Sequence, residues 1–323
     1  MTSGRLPELG VHLTPLGFGS APIGNLYTAV DDETAAATVD AAWSAGIRYF
    51  DTAPHYGLGL AERRLGAALA DRPRSEFTIS TKVGRLLCPN PSPTGSDLSA
   101  GGFDVRDDLV RVRDYSGDGV TRSLESSLTR LGLDKVDIVL IHDPDDYVGQ
   151  AINEAIPALR ALQSQGLVSA IGVGMNSWQP LARFVAESDT DIVMVAGRWT
   201  LLDRSAAPLL SLCTERNVAV VAAAPFNSGL SATQTPSPAA HFDYGPASGD
   251  VRARAHLYAQ VCDRHGCVLP QAALQFPLTA SAVSSVVAGI RTPHEARADA
   301  AWMNDRVPAH VWHALDAATA GVS

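Results

Sequence analysis

Three apolar runs in this 323-residue chain end on a residue that can hold or pass a proton. IRYFD from Ile47 ends on Asp51, FTISTK from Phe77 on Lys82, and VDIVLIH from Val136 on His142. Tyr56 follows Asp51 by five residues in the loop DTAPHYG. Each alone has an ordinary structural use: a helix cap, a lysine reaching solvent from a rim, a satisfied core imidazole, a packed loop tyrosine. Together they form a proton-exchanging set. A buried ammonium beside a phenol favours the phenolate and lowers the phenol pKa from about 10 towards neutrality. Asp51 would keep Lys82 charged and oriented, and His142 would donate or accept a hydrogen bond at a substrate oxygen.

These residues share a rim only if their runs lie side by side in one sheet. Eight short runs rich in valine and isoleucine recur: LGFGS from Leu16, the three above, VSAIGVG from Val168, IVMVAG from Ile192, VAVVAAA from Val218 and VSSVVAG from Val283. Amphipathic segments of helical length separate them, such as Asp32 to Ser44 and Gly119 to Leu131. Continuous apolar strands alternating with helices read as a parallel sheet buried on both faces. Eight such units predict an α/β fold, a (β/α)₈ TIM barrel, with residues 1–323 forming one domain. The third and seventh units are longer than the rest. Their insertions, Val83 to Ser116 and Pro225 to Gly249, are rich in proline and glycine. Both follow strand ends, so both are expected to roof the mouth where barrel active sites are built. Arg5 to Pro15, with its Leu9-Gly10 turn, reads as a β-hairpin closing the opposite end.

Charge and composition narrow the partners. Net charge is −9, and no lysine or arginine cluster stands out, which argues against nucleic acid. No apolar run approaches the roughly 20 residues needed to span a bilayer, and no signal-like segment opens the chain. The four cysteines form no Cys-x-x-Cys pair, so no metal site or disulfide framework is expected, and a cytoplasmic protein is. The partner is then a small-molecule substrate, and both monomer and homodimer stay open.

No Gly-x-Gly-x-x-Gly opens a strand–helix unit, which argues against a Rossmann domain but not against a nicotinamide cofactor. Barrels commonly bind phosphate with the loops after strands seven and eight. There, Phe226, Asn227, Ser228 and Gly229 suit a pyrophosphate strap, and Gly289, Ile290, Arg291, Thr292 and Arg297 suit the adenosine end. Arg291 and Arg297 could grip a 2′-phosphate, but Asp299 nearby weakens that case, so NAD and NADP both remain open. Tyr27, His55, Asp143, Trp199 and Arg198 are candidates for holding a hydroxyl-bearing substrate.

The quartet Asp51, Tyr56, Lys82 and His142 resembles the Asp, Tyr, Lys, His tetrad of the aldo-keto reductase superfamily. Four ordered stretches carry the resemblance over nearly the whole chain: GIRYFDTAPHYGLGLAERRLGAAL at Gly46, STKVG at Ser80, SLESSLTRLGLDKVDIVLIHDPD at Ser123 and AIGVGMNSWQ at Ala170. Further segments, among them GFGSAPIGNLY from Gly17 and APFNSGL from Ala224, are most similar to the branch containing aldose 1-dehydrogenases, L-fucose and L-galactose dehydrogenases and pyridoxal 4-dehydrogenase. The resemblance implies a (β/α)₈ barrel and an NAD(P)-dependent oxidoreductase that oxidises C1 of an aldose or similar cyclic hemiacetal to a lactone. It makes Tyr56 the general acid/base, Lys82 its modifier, Asp51 the partner of Lys82, and His142 the substrate-orienting residue. The same residues run in reverse would give an NADPH-dependent reductase of aldehydes or ketones, and the barrel alone would fit a nucleotide-sensing regulatory subunit. Two of the superfamily's nicotinamide contacts align with Ala196 and Ala223, so Asn176 is the candidate for the carboxamide, with Trp199 and Phe226 as nearby aromatics.

Overall fold

A computed structural model of the chain describes residues 4–237, 239–243 and 245–320. Eight parallel strands close into a barrel: β1 Leu16–Gly19, β2 Tyr49–Asp51, β3 Thr78–Val83, β4 Val136–His142, β5 Val168–Met175, β6 Ile192–Ala196, β7 Ala219–Ala223 and β8 Val283–Gly289. Closure comes from β1, which pairs with β8 through Leu16↔Val286 and with β2 through Gly19↔Asp51. Helices cover the outside, so the strands are apolar on both faces, as their run-on sequences require. Helix ends follow local chemistry. Asp31 accepts from Thr34 N to start Asp32–Ser44, Ser116 accepts from Gly119 N to start Gly117–Leu131, and Gly132 in the left-handed region ends the latter.

Side chains alternate along each strand, and that period of two decides which residues reach the mouth. On β4, Val139 and Ile141 pack outward with the helices, whereas Ile138 and Leu140 fill the barrel with Tyr49, Met194 and Val221. His142 is the next residue in the inward series. By the same count Asp51 follows Tyr49, and Lys82 follows Ser80. On the remaining strands the last inward positions are small: Gly19, Gly174, Ala196, Ala223 and Gly289. One side of the mouth is therefore polar and the other is bare.

The far end of the barrel corrects the expected hairpin. Residues 6–9 form a 3-10 turn ended by Gly10 at φ 71°, and the following segment runs extended without a strand partner of its own. Leu6 and Val11 pack into the barrel core with Ile192 and Ala219, so the segment plugs the end as an apolar cap. Two large residues reach the core from a single tight turn, which leaves a hairpin nothing to stabilise.

Both insertions fold over the mouth. In the first, Arg85–Pro89 pairs antiparallel with Leu109–Arg113. Asp107 knits its proline-rich tip by accepting from Thr94 N, Thr94 Oγ1 and Gly95 N. Arg111 ties the ribbon down, bonding Asp97 at 2.6 and 2.7 Å and the His55 carbonyl at 2.9 Å. In the second, His241–Phe242 pairs with Gly245–Pro246, and Asp243 is ion-paired with Arg198 at 2.7 Å.

Candidate active site

Lys82 sits at the centre of the polar half. Its Nζ donates to Asp51 Oδ2 at 2.6 Å, to the Thr52 carbonyl at 3.0 Å and to the Tyr56 hydroxyl oxygen at 3.1 Å. Asp51 is fixed in turn by Ser80, whose hydroxyl donates to Oδ1 at 2.7 Å and meets the Tyr49 hydroxyl at 3.0 Å. Lys82 and Asp51 are each only 2 % exposed. Burial alone would favour the neutral amine, but the charges of Asp51 and Tyr56 and their hydrogen bonds outweigh it and hold the Lys82 ammonium above its ordinary range. The neighbouring helix locks β3 in place: Glu62, fully buried, accepts from Thr81 Oγ1 at 2.7 Å and is ion-paired with Arg130.

His142 faces Tyr56 across the mouth, with ring centroids 6.0 Å apart. Its Nδ1 is buried without a protein partner, and its Nε2 lies 3.5 Å from Asp143 Oδ2. Burial first, and then the positive charge of Arg85, push the His142 pKa well below the ordinary histidine range. His55 stands 5.6 Å from His142, and burial with Arg85 and Arg111 brings its pKa down to about 2. Both imidazoles are therefore neutral at physiological pH, each offering one donor and one acceptor. Asp143 takes a left-handed backbone, φ 45°, and Tyr115 pins that turn by donating to the carbonyls of His142 at 2.7 Å and Asp143 at 2.8 Å. The Asp143 carboxylate is ion-paired with Arg85, the first residue of the ribbon.

These groups open onto a cavity of about 1070 Å³. Asp51, Tyr56, Lys82 and His142 all line it, as do Tyr27, His55 and Asp143. So do Asn176, Phe226, Asn227, Ser228, Gly229, Gly289 and Arg291 of the expected cofactor set. Ile290, Thr292 and Arg297 do not. Ile290 is fully buried in the core, Thr292 caps the helix Pro293–Asn304 by accepting from Glu295 N, and Arg297 is exposed. Trp199 is corrected more sharply. Its Nε1 donates to the Pro277 carbonyl at 3.2 Å and its ring packs 5.3 Å from Phe276, so it serves the core beneath the loop while its neighbour Arg198 lines the cavity. Sequence reasoning missed Arg85, Phe103, Glu295 and, as a wall residue, Asp299. For Arg85 a signal existed: it opens an insertion expected to roof the mouth.

The cavity is at the upper limit of the 300–1000 Å³ that holds a drug-sized ligand, so a sugar-sized substrate would leave most of it empty. Its bare half suits a dinucleotide. An added Cβ at Gly229 would meet nothing within 4 Å, and one at Gly197 would meet only Asn227 Nδ2 at 4.0 Å. Asn227, Ser228 and Gly229 are consecutive left-handed residues, a backbone turn of the kind that makes anion-binding concavities, and Asn227 Oδ1 is buried without a partner.

The aldo/keto reductase family profile matches residues 15–320. The chain belongs to that family. It is 44% identical to a D-threo-aldose 1-dehydrogenase of a Pseudomonas species over 310 residues, covering 95% of this chain and 94% of the relative. It is 36% identical to the pyridoxal 4-dehydrogenase of Microbacterium luteolum, covering 96% and 95%. Among solved structures, an aldo-keto reductase from Bacillus halodurans in its holo form superposes with a TM-score of 0.80 at 23% identity, covering 98% of this chain and 96% of that one. This aldo/keto reductase is thus an oxidoreductase of a nicotinamide-using family, acting on a small molecule. No helix among its described residues is long and apolar enough to cross a membrane.

Proposed function

We propose that this aldo/keto reductase oxidises the hemiacetal carbon of an aldose or a related cyclic hemiacetal to a lactone, with NAD as its cofactor. The observation that carries the reading is Lys82 Nζ held between Asp51 and the Tyr56 hydroxyl at the floor of a roofed cavity. An ammonium donating to a phenol oxygen stabilises the phenolate, so Tyr56 can take the proton of a substrate hydroxyl. Neutral His142 supplies a hydrogen bond to the same oxygen, and Asp51 keeps Lys82 charged through each cycle. A nicotinamide bound in the bare half supplies the hydride acceptor. Asn176, Phe226, Asn227, Ser228, Gly229, Gly289 and Arg291 would hold that cofactor, and Tyr27, His55 and Asp143 would meet the substrate. The names of the two relatives, an aldose 1-dehydrogenase and a pyridoxal 4-dehydrogenase, support a cyclic hemiacetal as the substrate class.

The preference for NAD follows from charge at the end of the cavity beside β8. Glu295 and Asp299 both line it there. Arg291, which also lines the cavity, is already engaged: its guanidinium donates to the carbonyls of Leu26 at 2.7 Å and Thr28 at 3.0 Å. The Glu295 carboxylate, with the buried Asp299 carboxyl whose pKa burial pushes up to about 7, suits ribose hydroxyls, and what charge the two carry disfavours a 2′-phosphate. Free, buried thiols at Cys213, Cys262 and Cys267 suit a cytoplasmic enzyme. A steady-state panel of aldoses plus pyridoxal against both cofactors tests the reading. NAD⁺ reduction with at least one of these substrates, faster than NADP⁺ reduction, is expected. An enzyme that reduces neither cofactor yet consumes NADPH with simple aldehydes would sink it.

A further inference from the structure

Past the reacting oxygen, the polar wall continues from His142 to Asp143 and from Asp143 to Arg85, all lining the cavity. Arg85 uses Nη2 on Asp143 Oδ2, while its Nε is buried with no partner. No described residue bonds Asp143 Oδ1. The imidazoles of His55 and His142 line the same wall. The side chains of Arg85 and Asp143 are 14 % and 26 % exposed, so part of each stays open to a ligand in the cavity. The array alternates a cation that only donates, a carboxylate that only accepts, and neutral imidazoles that do both. A hydroxyl is both donor and acceptor, so a run of hydroxyls fits this wall and an alkyl chain does not.

We propose that Arg85, acting with Asp143, is a specificity-determining residue that recognises the hydroxyl next to the hemiacetal carbon. This rests on the hemiacetal reading above. Asp143 Oδ2 lies 3.5 Å from His142 Nε2, so when the reacting oxygen is held between Tyr56 and His142, a hydroxyl one carbon away comes within reach of the Asp143 carboxylate. The Asp143 carboxylate accepts from that hydroxyl, and the Arg85 N–H donates to it or to the next one. The pair is held rigidly enough to discriminate. Tyr115 fixes the strained turn at Asp143, and Gly84, in the left-handed region at φ 97°, lets the chain turn into the ribbon against the Tyr115 ring. Burial also pushes the Asp143 carboxyl above its ordinary range, as an acid lacking a full set of partners does.

The test compares kcat/KM for L-fucose and 2-deoxy-L-fucose in the wild type, Arg85→Met and Arg85→Lys. A charged site built for a hydroxyl rejects the analogue lacking it, so the wild type should prefer L-fucose by about 30-fold or more. In both variants that ratio should fall towards one, and the change should sit in KM. Arg85→Lys keeps a cation beside Asp143, so its melting temperature and its NADH affinity, read by fluorescence titration, should match the wild type. A wild type without preference, or variants that lose activity on both sugars while keeping the ratio, would overturn the assignment alone. A wild type that oxidises neither sugar but oxidises another member of the aldose and pyridoxal panel would overturn the assignment alone, and one that oxidises no member of the panel would overturn the hemiacetal reading, and this assignment with it.

Discussion

At the scale of single residues, the site depends on a buried ion pair whose removal has unequal consequences. Asp51→Asn leaves the Lys82 ammonium buried with only neutral oxygens around it. Breaking such a pair costs about 3–5 kcal/mol, whereas removing both charges together is milder. Urea denaturation should show that loss for Asp51→Asn and recover much of it in the double variant Asp51→Asn with Lys82→Met. Equal destabilisation in the single and the double variant would mean that the pair is not the source. The pair was legible because three apolar runs each end on one polar residue, a pattern that packing alone does not generate. The packing of Trp199 was not legible for the converse reason. Loop position cannot tell whether an indole N–H finds its acceptor across a cavity or, as at Pro277, inside the core.

At the scale of elements, the ribbon after β3 decides how the mouth is furnished. Gly84 lies at its base with φ 97°, and an added Cβ would stand 2.3 Å from Tyr115 Cε1. The left-handed backbone alone disfavours alanine by about 1–2 kcal/mol, and the clash must displace the ring that pins His142 and Asp143. Gly84→Ala should therefore lower both the melting temperature and kcat/KM for the sugar substrate. A variant that melts and turns over like the wild type would show that the ribbon and the site are uncoupled. The strands and the helix Asp32–Ser44 could be read from valine-rich runs and periodic apolar residues. The ribbon's pairing could not, because its register is set by Arg111 reaching Asp97 and the His55 carbonyl, contacts distant in sequence. Nor could the 3-10 plug at residues 6–9, whose conformation depends on the barrel end it fills.

At the scale of the whole molecule, burying titratable groups to line one cavity gives stability a particular pH dependence. His55 titrates at about 2 when folded and at about 6.5 when unfolded, and His142 is shifted the same way. Between those values the unfolded chain binds more protons, so this contribution to stability is lost as pH falls below about 6.5. Asp299 opposes it. Burial, with Glu295 nearby, pushes its pKa up to about 7 against about 3.9 unfolded. Between about 4 and 7 the folded chain holds the extra proton, so this term weakens the fold as pH rises. Asp299→Asn removes the opposing slope, and its melting temperature should climb more steeply with pH than that of the wild type over that window. Parallel curves would contradict the assignment. The negative net charge visible in the sequence says nothing of this, because the effect lies in which carboxylates and imidazoles the barrel buries. One mouth, polar on one side and bare on the other, is proposed to oxidise a cyclic hemiacetal through Tyr56. The most direct measurement is turnover of the best aldose with NAD by Tyr56→Phe, with NADH affinity measured alongside. A loss of about 10²–10⁴-fold in kcat with NADH binding intact is expected; unchanged turnover on every substrate would contradict the role of Tyr56.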